Sequence, residues 1–141
     1  MSDVVRKALF ADLVFNEEGQ PARAVYVGEV PHYAVPDGDF LRHVEAEYVD
    51  RQIVALMQER VLAMRDAVTE GVVHILGQED LFTRASIEYA IEHMDRILEP
   101  GNVDVDEFRT ALWMTGFRAT VNVHGDVVRL EMPGWESGED E

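Results

Sequence analysis

The chain contains no cysteine, which excludes disulfides, thiolate metal sites and thiol chemistry. Serine is almost as scarce. Ser2 is near the start, Ser86 falls inside a helical pattern and Ser137 is in an acidic tail, so none stands on the sharp glycine-flanked turn of a nucleophile elbow. No glycine-rich phosphate loop of the GxGxxG or Walker A kind occurs, which argues against the common nucleotide enzymes. No apolar run approaches the ~20 residues of a membrane span. Met1-Ser2-Asp3 lacks the basic-then-apolar opening of a signal peptide. The expectation is a cytoplasmic protein with no membrane partner and no cofactor. Lysine is the last scarcity: Lys7 stands alone, and every other basic side chain is arginine.

What is abundant is acid. Asp and Glu number 28 against 12 Lys and Arg, a formal net charge of -16 over 141 residues. Such a surface repels phosphate backbones, so no nucleic-acid partner is expected. Three explanations compete: halophilic adaptation to a high-salt cytoplasm, mimicry of DNA, and a basic protein partner. A mimic needs carboxylates at regular spacing along one face, whereas these are spread over the whole chain, so adaptation to salt is preferred. A hydrophobic content of 47% argues for a packed core. The length suits one domain over 1–134, followed by an acidic tail at 135–141 that is expected to lack order.

Val4 to Phe15 is nearly continuous in apolar residues and reads as a buried strand, stopped by the turn Asn16–Pro21. Ala22 to Glu29 alternates, which makes the two an N-terminal hairpin. Pro31 to Asp39 is the densest loop signal, with His32–Val35 as a short edge strand and Asp39 as the cap of a long helix beginning at Phe40. Leu41, Val44 and Tyr48, then Ile53, Met57, Val61, Met64 and Val68, keep helical spacing, with a kink or break expected at Gly71 and a stop at Gly77. A second helix is expected from Asp80 or Thr83 to Leu98. A third opens at Asp104, where Asp104 and Glu107 resemble a capping box, and stops at Gly116. Phe117–Met132 alternates on both sides of Gly125-Asp126 and predicts a C-terminal hairpin.

Four sets of residues invite a functional reading. His43, Glu47 and Asp50 at i, i+4, i+7 would place an imidazole and two carboxylates on one helix face as weak metal-ligand candidates. Glu88, Glu92 and Asp95 repeat that spacing on the second helix, with His93 displaced from Glu92 by about 100°. The bland alternative is a solvated face. It is preferred, because a chain this acidic places carboxylates at helical spacing everywhere and the Glu-x-x-His pattern of di-iron bundles is missing. The 31–39 loop with Tyr26, Trp113 and Trp135 offers a small-ligand pocket, against the plainer expectation that Tyr26 and Trp113 are core. Finally, the helix–helix–hairpin order from Asp80 to Met132 resembles a winged helix. Its recognition helix would open Asp104-Val105-Asp106-Glu107, which repels DNA, leaving Arg109, Arg118 and Arg129 as its basic residues.

The expected fold is α+β: an N-terminal β-hairpin, a central block of about three helices and a C-terminal β-hairpin. The hairpins are expected to share one antiparallel sheet packed on the helices. The 40–68 helix carries more apolar surface than a small sheet covers, which predicts a homodimer through it. The functional expectation is a non-catalytic, homo-oligomeric protein-interaction domain with an acidic surface. A small-ligand or metal-binding module and an acid/base enzyme with unrecognised carboxylates are the alternatives.

Overall fold

A computed structural model describes residues 8–77, 81–98 and 104–133. The first part of the Val4–Phe15 run, the start expected for the second helix at Asp80, Trp135 and the acidic tail lie outside them. The protein is α+β, with two sheets of three strands and five helices among the described residues. Strands β2 (Arg23–Val27), β3 (Val30–Asp37) and β4 (Phe40–Glu45) form an antiparallel meander. In the other sheet β1 (Val14–Phe15) runs parallel to β5 (Arg118–Val121), which pairs antiparallel with β6 (Val127–Glu131). Between the sheets in sequence come α1 (Ala46–Ala63), α2 (Arg65–Leu76), α3 (Leu81–Glu92), α4 (Met94–Ile97) and α5 (Val105–Met114).

The expected single antiparallel sheet is therefore two sheets. The N-terminal hairpin is completed by a third strand of its own, and the C-terminal hairpin takes β1 as a parallel neighbour. The chain does double back over Asn16–Gln20, with Phe15 bridging Pro21 and the Ala22 N–H donating to the Val14 carbonyl. Buried Asn16 holds that turn. Its Oδ1 accepts the Glu18 and Gln20 N–H groups, while Nδ2 donates to the Pro36 carbonyl at the end of β3.

The largest correction concerns Phe40–Glu45, expected as the start of a helix and found as β4. Asp37 pairs with Phe40 across the two-residue turn Gly38-Asp39, where Gly38 takes φ 61°. Asp39 is thus a hairpin residue rather than a helix cap, in a turn whose mirror-image geometry favours glycine. Leu41 and Val44 are three apart and so face opposite sides of β4, while Tyr48 belongs to α1; the helical spacing runs across a strand and a helix. The Pro31–Asp39 segment, expected as loop, is the central strand β3. Its two prolines do no harm because each sits where only one neighbour is present. Pro31 pairs with Tyr26 beyond the reach of β4, and Pro36 pairs with Leu41 beyond the reach of β2.

The helical block breaks at other places than expected. The first helix ends at Met64 (φ -116°, ψ 26°), and α2 then passes through Gly71 unbroken before the chain leaves it at Gly77. His93 (φ -120°, ψ 32°) likewise divides the second expected helix into α3 and α4. The capping box at α5 is observed: Asp104 accepts the Glu107 N–H. Leu9–Asp12, read as strand, is a turn with the Leu13 N–H donating to the Phe10 carbonyl and Asp12 at φ 71°.

The main core gathers both sheets onto one face of α1. Val49, Ile53, Val54 and Met57 meet Tyr33 and Val35 of β3, Val14 of β1, Ala119 and Val121 of β5, Leu130 and Met132. Phe10 fills the end of this core, stacked on Phe117 and edge-on to Phe108 of α5, at centroid distances of 5.6 and 5.9 Å. Gln52 fastens α1 to the final turn, its Nε2 donating to the Gly125 carbonyl and its Oε1 accepting the Val127 N–H. Gly125, at φ 85°, has no room for a side chain: a Cβ there would lie 3.0 Å from that of Val44.

Candidate functional site

The three metal-ligand candidates are not brought together. His43 is exposed on β4, opposite Ala34. Glu47 lies in the first turn of α1, its carboxylate 2.6 Å from Arg51 in an exposed i, i+4 ion pair. Asp50 points the other way, into the core. A helical i, i+4, i+7 face requires all three positions to be helical, and α1 begins only at Ala46. Among the described residues no group of three or more His, Asp or Glu side chains is placed to hold a metal ion. The second set fares similarly: Glu92 accepts from Arg65 at 2.8 Å, and the His93 ring stacks on Tyr89 with its Nδ1 against the Tyr89 carbonyl.

Asp50 is the most perturbed carboxyl group. Burial pushes its pKa up to about 7 from 3.8, opposed by hydrogen bonds from the Tyr33 hydroxyl and the Leu9 N–H and assisted by the nearby charge of Glu47. The Tyr33 O–H donates to Asp50 Oδ1 at 2.6 Å, and the Leu9 N–H donates to Oδ2 at 2.9 Å. Tyr33 in turn accepts the Phe10 N–H at 3.1 Å, and burial together with the Asp50 carboxylate raises its own pKa well above 10. A carboxyl with a raised pKa is the usual mark of an acid/base catalyst. Here, however, both oxygens are engaged by donors of the fold itself. What it does is replace a strand ladder: it satisfies the backbone of the Leu9–Asp12 turn, which has no strand neighbour.

The 31–39 segment offers no pocket of the expected kind. Tyr33 and Val35 are core, while His32 turns its Nδ1 to the Val30 carbonyl. A shallow polar depression lies at its far end, lined by Asn16, Glu17, Glu18, Pro36, Asp37 and Gly38 against Val121–Val123. It is open to solvent and presents the carboxylates of Glu17, Glu18 and Asp37, the last paired with Arg42 at 2.8 Å. Tyr26 and Trp113, expected as core, are exposed, Trp113 to 66%.

The unusual surface is on the helices. In α3 the exposed residues are Leu81, Phe82, Ala85, Ser86, Tyr89 and Glu92, whereas Arg84, Glu88, Ile87 and Ile91 lie on the half-buried side. At 100° per residue the exposed set occupies one face of the helix. From Leu81 to Tyr89 that face carries no charge. Leu81 is 82% exposed and Phe82 80%, joined at the same end of the helical hairpin by Ile75 of α2. The helix is thus apolar on both sides, with Ile87 and Ile91 covered and Leu81, Phe82 and Tyr89 exposed, while Arg84 and Glu88 are half-buried. Arg84 is held there by Glu70 of α2 at 2.8 Å. Spacing alone could have shown this stripe, since Leu81, Ala85 and Tyr89 recur at i, i+4, i+8. A second apolar stripe, Ile87 and Ile91, runs along the covered side and obscures it in the sequence.

No helix is long and apolar enough to cross a membrane among the described residues. No protein-family model, curated protein or solved structure matches the chain.

Proposed function

We propose that the chain acts as a non-catalytic, homo-oligomeric protein-interaction domain with a strongly acidic surface. The observation that carries this reading is the uncharged apolar face of α3 on a chain of net charge -16. Contiguous apolar surface of this kind on a soluble protein marks a place that another surface covers. The 40–68 segment contributes less than its composition suggests. Val49, Ile53, Val54 and Met57 are spent in the core of one chain, leaving Phe40, Leu41, Tyr48 and Leu62 exposed for a partner. The acidic remainder keeps the assembly soluble in concentrated salt.

Sedimentation across micromolar concentrations tests the reading. A concentration-dependent dimer is expected, and a monomer throughout overturns it. Thermal unfolding followed across KCl tests the role of the acid. Stability should rise with salt as carboxylate repulsion is screened, and a salt-independent midpoint would assign the charge to a basic partner instead.

A further inference from the structure

We infer that the outward face of α3 is a two-fold contact with a second copy of this chain, the two α3 helices crossing antiparallel at Ala85 and Ser86. This rests on the self-association proposed above and names its surface. The face is self-complementary in size. Large side chains (Leu81 and Phe82) stand at one end, small ones (Ala85 and Ser86) in the middle and Tyr89 at the other end. A two-fold axis through the small residues sets Leu81 and Phe82 of one copy against Tyr89 of the partner subunit. It also lets the helices approach to the ~8–10 Å of packed pairs. The stripe is about 12 Å long at 1.5 Å per residue, so both ends meet at once.

Area and charge agree with this occupant. Leu81, Phe82 and Tyr89 with Ile75 of α2 expose 58–82% of their surface. With about 150–250 Å² for each aromatic side chain and less for the aliphatic ones, complete covering removes at most roughly 600 Å² per copy. A pair of copies then approaches the ~1,200 Å² lower bound of specific interfaces, with rim contacts supplying the rest. A basic protein partner would need carboxylates at the contact, and this face has none from Leu81 to Tyr89. Two copies at net charge -16 repel over distance but meet where neither is charged. Salt that screens the repulsion, whose range shrinks from ~10 Å at 0.1 M to ~3 Å at 1 M, should therefore tighten the dimer.

The test is sedimentation equilibrium of the full chain and of Phe82→Glu/Tyr89→Glu at low and high KCl, with circular dichroism as a check on folding. Wild type is expected to dimerise more tightly at about 1 M KCl than at 0.1 M. The double variant should weaken the dimer about 100-fold or more, as loss of two aromatic anchors does, with the same thermal midpoint at concentrations where wild type is monomeric. A variant that dimerises like wild type overturns the α3 contact while leaving self-association standing. A wild-type monomer at both salt concentrations overturns both. Because the chain has no cysteine, Ala85→Cys supplies an independent reading that needs no disruptive change. A short bismaleimide should join two copies at position 85 and leave Glu18→Cys, exposed in the Asn16–Gln20 turn, unjoined. Equal joining at both positions overturns the contact.

Discussion

The body built on α1 and the arm formed by α2 and α3 use apolar residues in opposite ways. In the body, Phe10, Tyr33, Val35, Val49, Ile53 and Val121 have essentially no exposed surface, and all belong to one cluster that spans both sheets. In the arm, the buried residues Thr69, Val73 and Ile91 stand outside that cluster, while Ile75, Leu81, Phe82 and Tyr89 face solvent. Polar groups divide the same way. The body's buried carboxyl has two donors, whereas the arm's one fully buried hydroxyl, Thr69, has no hydrogen-bond partner. The body is arranged to hold itself together. The arm leaves apolar surface uncovered, the surface proposed above to meet a second copy.

The contrast is sharpest in substitutions that remove apolar bulk. Ile53→Ala should cost about 2–5 kcal/mol of stability, while Phe82→Ala should leave the monomer within about 0.5 kcal/mol of wild type. Chemical denaturation of both at low protein concentration would measure this, and equal losses would mean that the arm is part of the cooperative core. The body's carboxyl should also give it a pH signature. Asp50 has a folded pKa of about 7, above its ordinary 3.8. The stability of the protonated form is therefore fully present below about pH 3.8 and is lost as pH rises through about 7. The loss is on the order of a few kcal/mol by linkage. Asp50→Asn keeps the group neutral and should flatten this part of the pH profile, being more stable than wild type at pH 8. A variant that keeps the wild-type slope between pH 4 and 7 would locate the titration elsewhere.

Removing the donor has a smaller effect. Tyr33→Phe deprives Asp50 of its hydroxyl partner and Phe10 of its acceptor, at a cost of about 1–3 kcal/mol. The loss should be greater at pH 8 than at pH 5, because the ionised carboxylate needs the donor more. In the arm the sign reverses: Thr69→Val removes a buried hydroxyl with no partner and should raise the thermal midpoint slightly, by up to ~1 kcal/mol. A loss of stability would show that the hydroxyl is satisfied in solution.

Much of the local architecture can be read from residue order alone. Asp104 with Glu107, the alternation around Gly125-Asp126 and the end at Gly77 each depend on neighbours a few residues away, and each is observed. Long-range pairing is not written in that way. Nothing local announces that Val14 lies beside Ala119, or that Asp50 turns inward to Leu9 and Tyr33 while Glu47 turns outward to Arg51. Phe40–Glu45 is ambiguous in sequence because Phe40 and Val44, four apart, share a face in a strand and in a helix alike. The Asp37-Gly38 dipeptide before it marks a hairpin turn. The metal-ligand set failed for the same reason, since moving the helix start to Ala46 takes His43 off the face that the set required.

The parallel pairing of β1 with β5 fixes the order in which the protein can be made. Val14 is synthesised 105 residues before its ladder partner Ala119 (14 to 119). The β2–β3–β4 meander and α1 close through local contacts within that interval, at synthesis rates of about 5–20 residues per second. The Val14–Phe15 segment therefore waits for seconds for its β5 neighbour, tied meanwhile to the turn through the Ala22 N–H and the Pro21 bridge. Because that closure joins residues 105 positions apart (14 to 119), it carries a large entropic cost. Slowing of refolding by substitutions in β1 and β5, with little change from those in β2, would be its kinetic imprint.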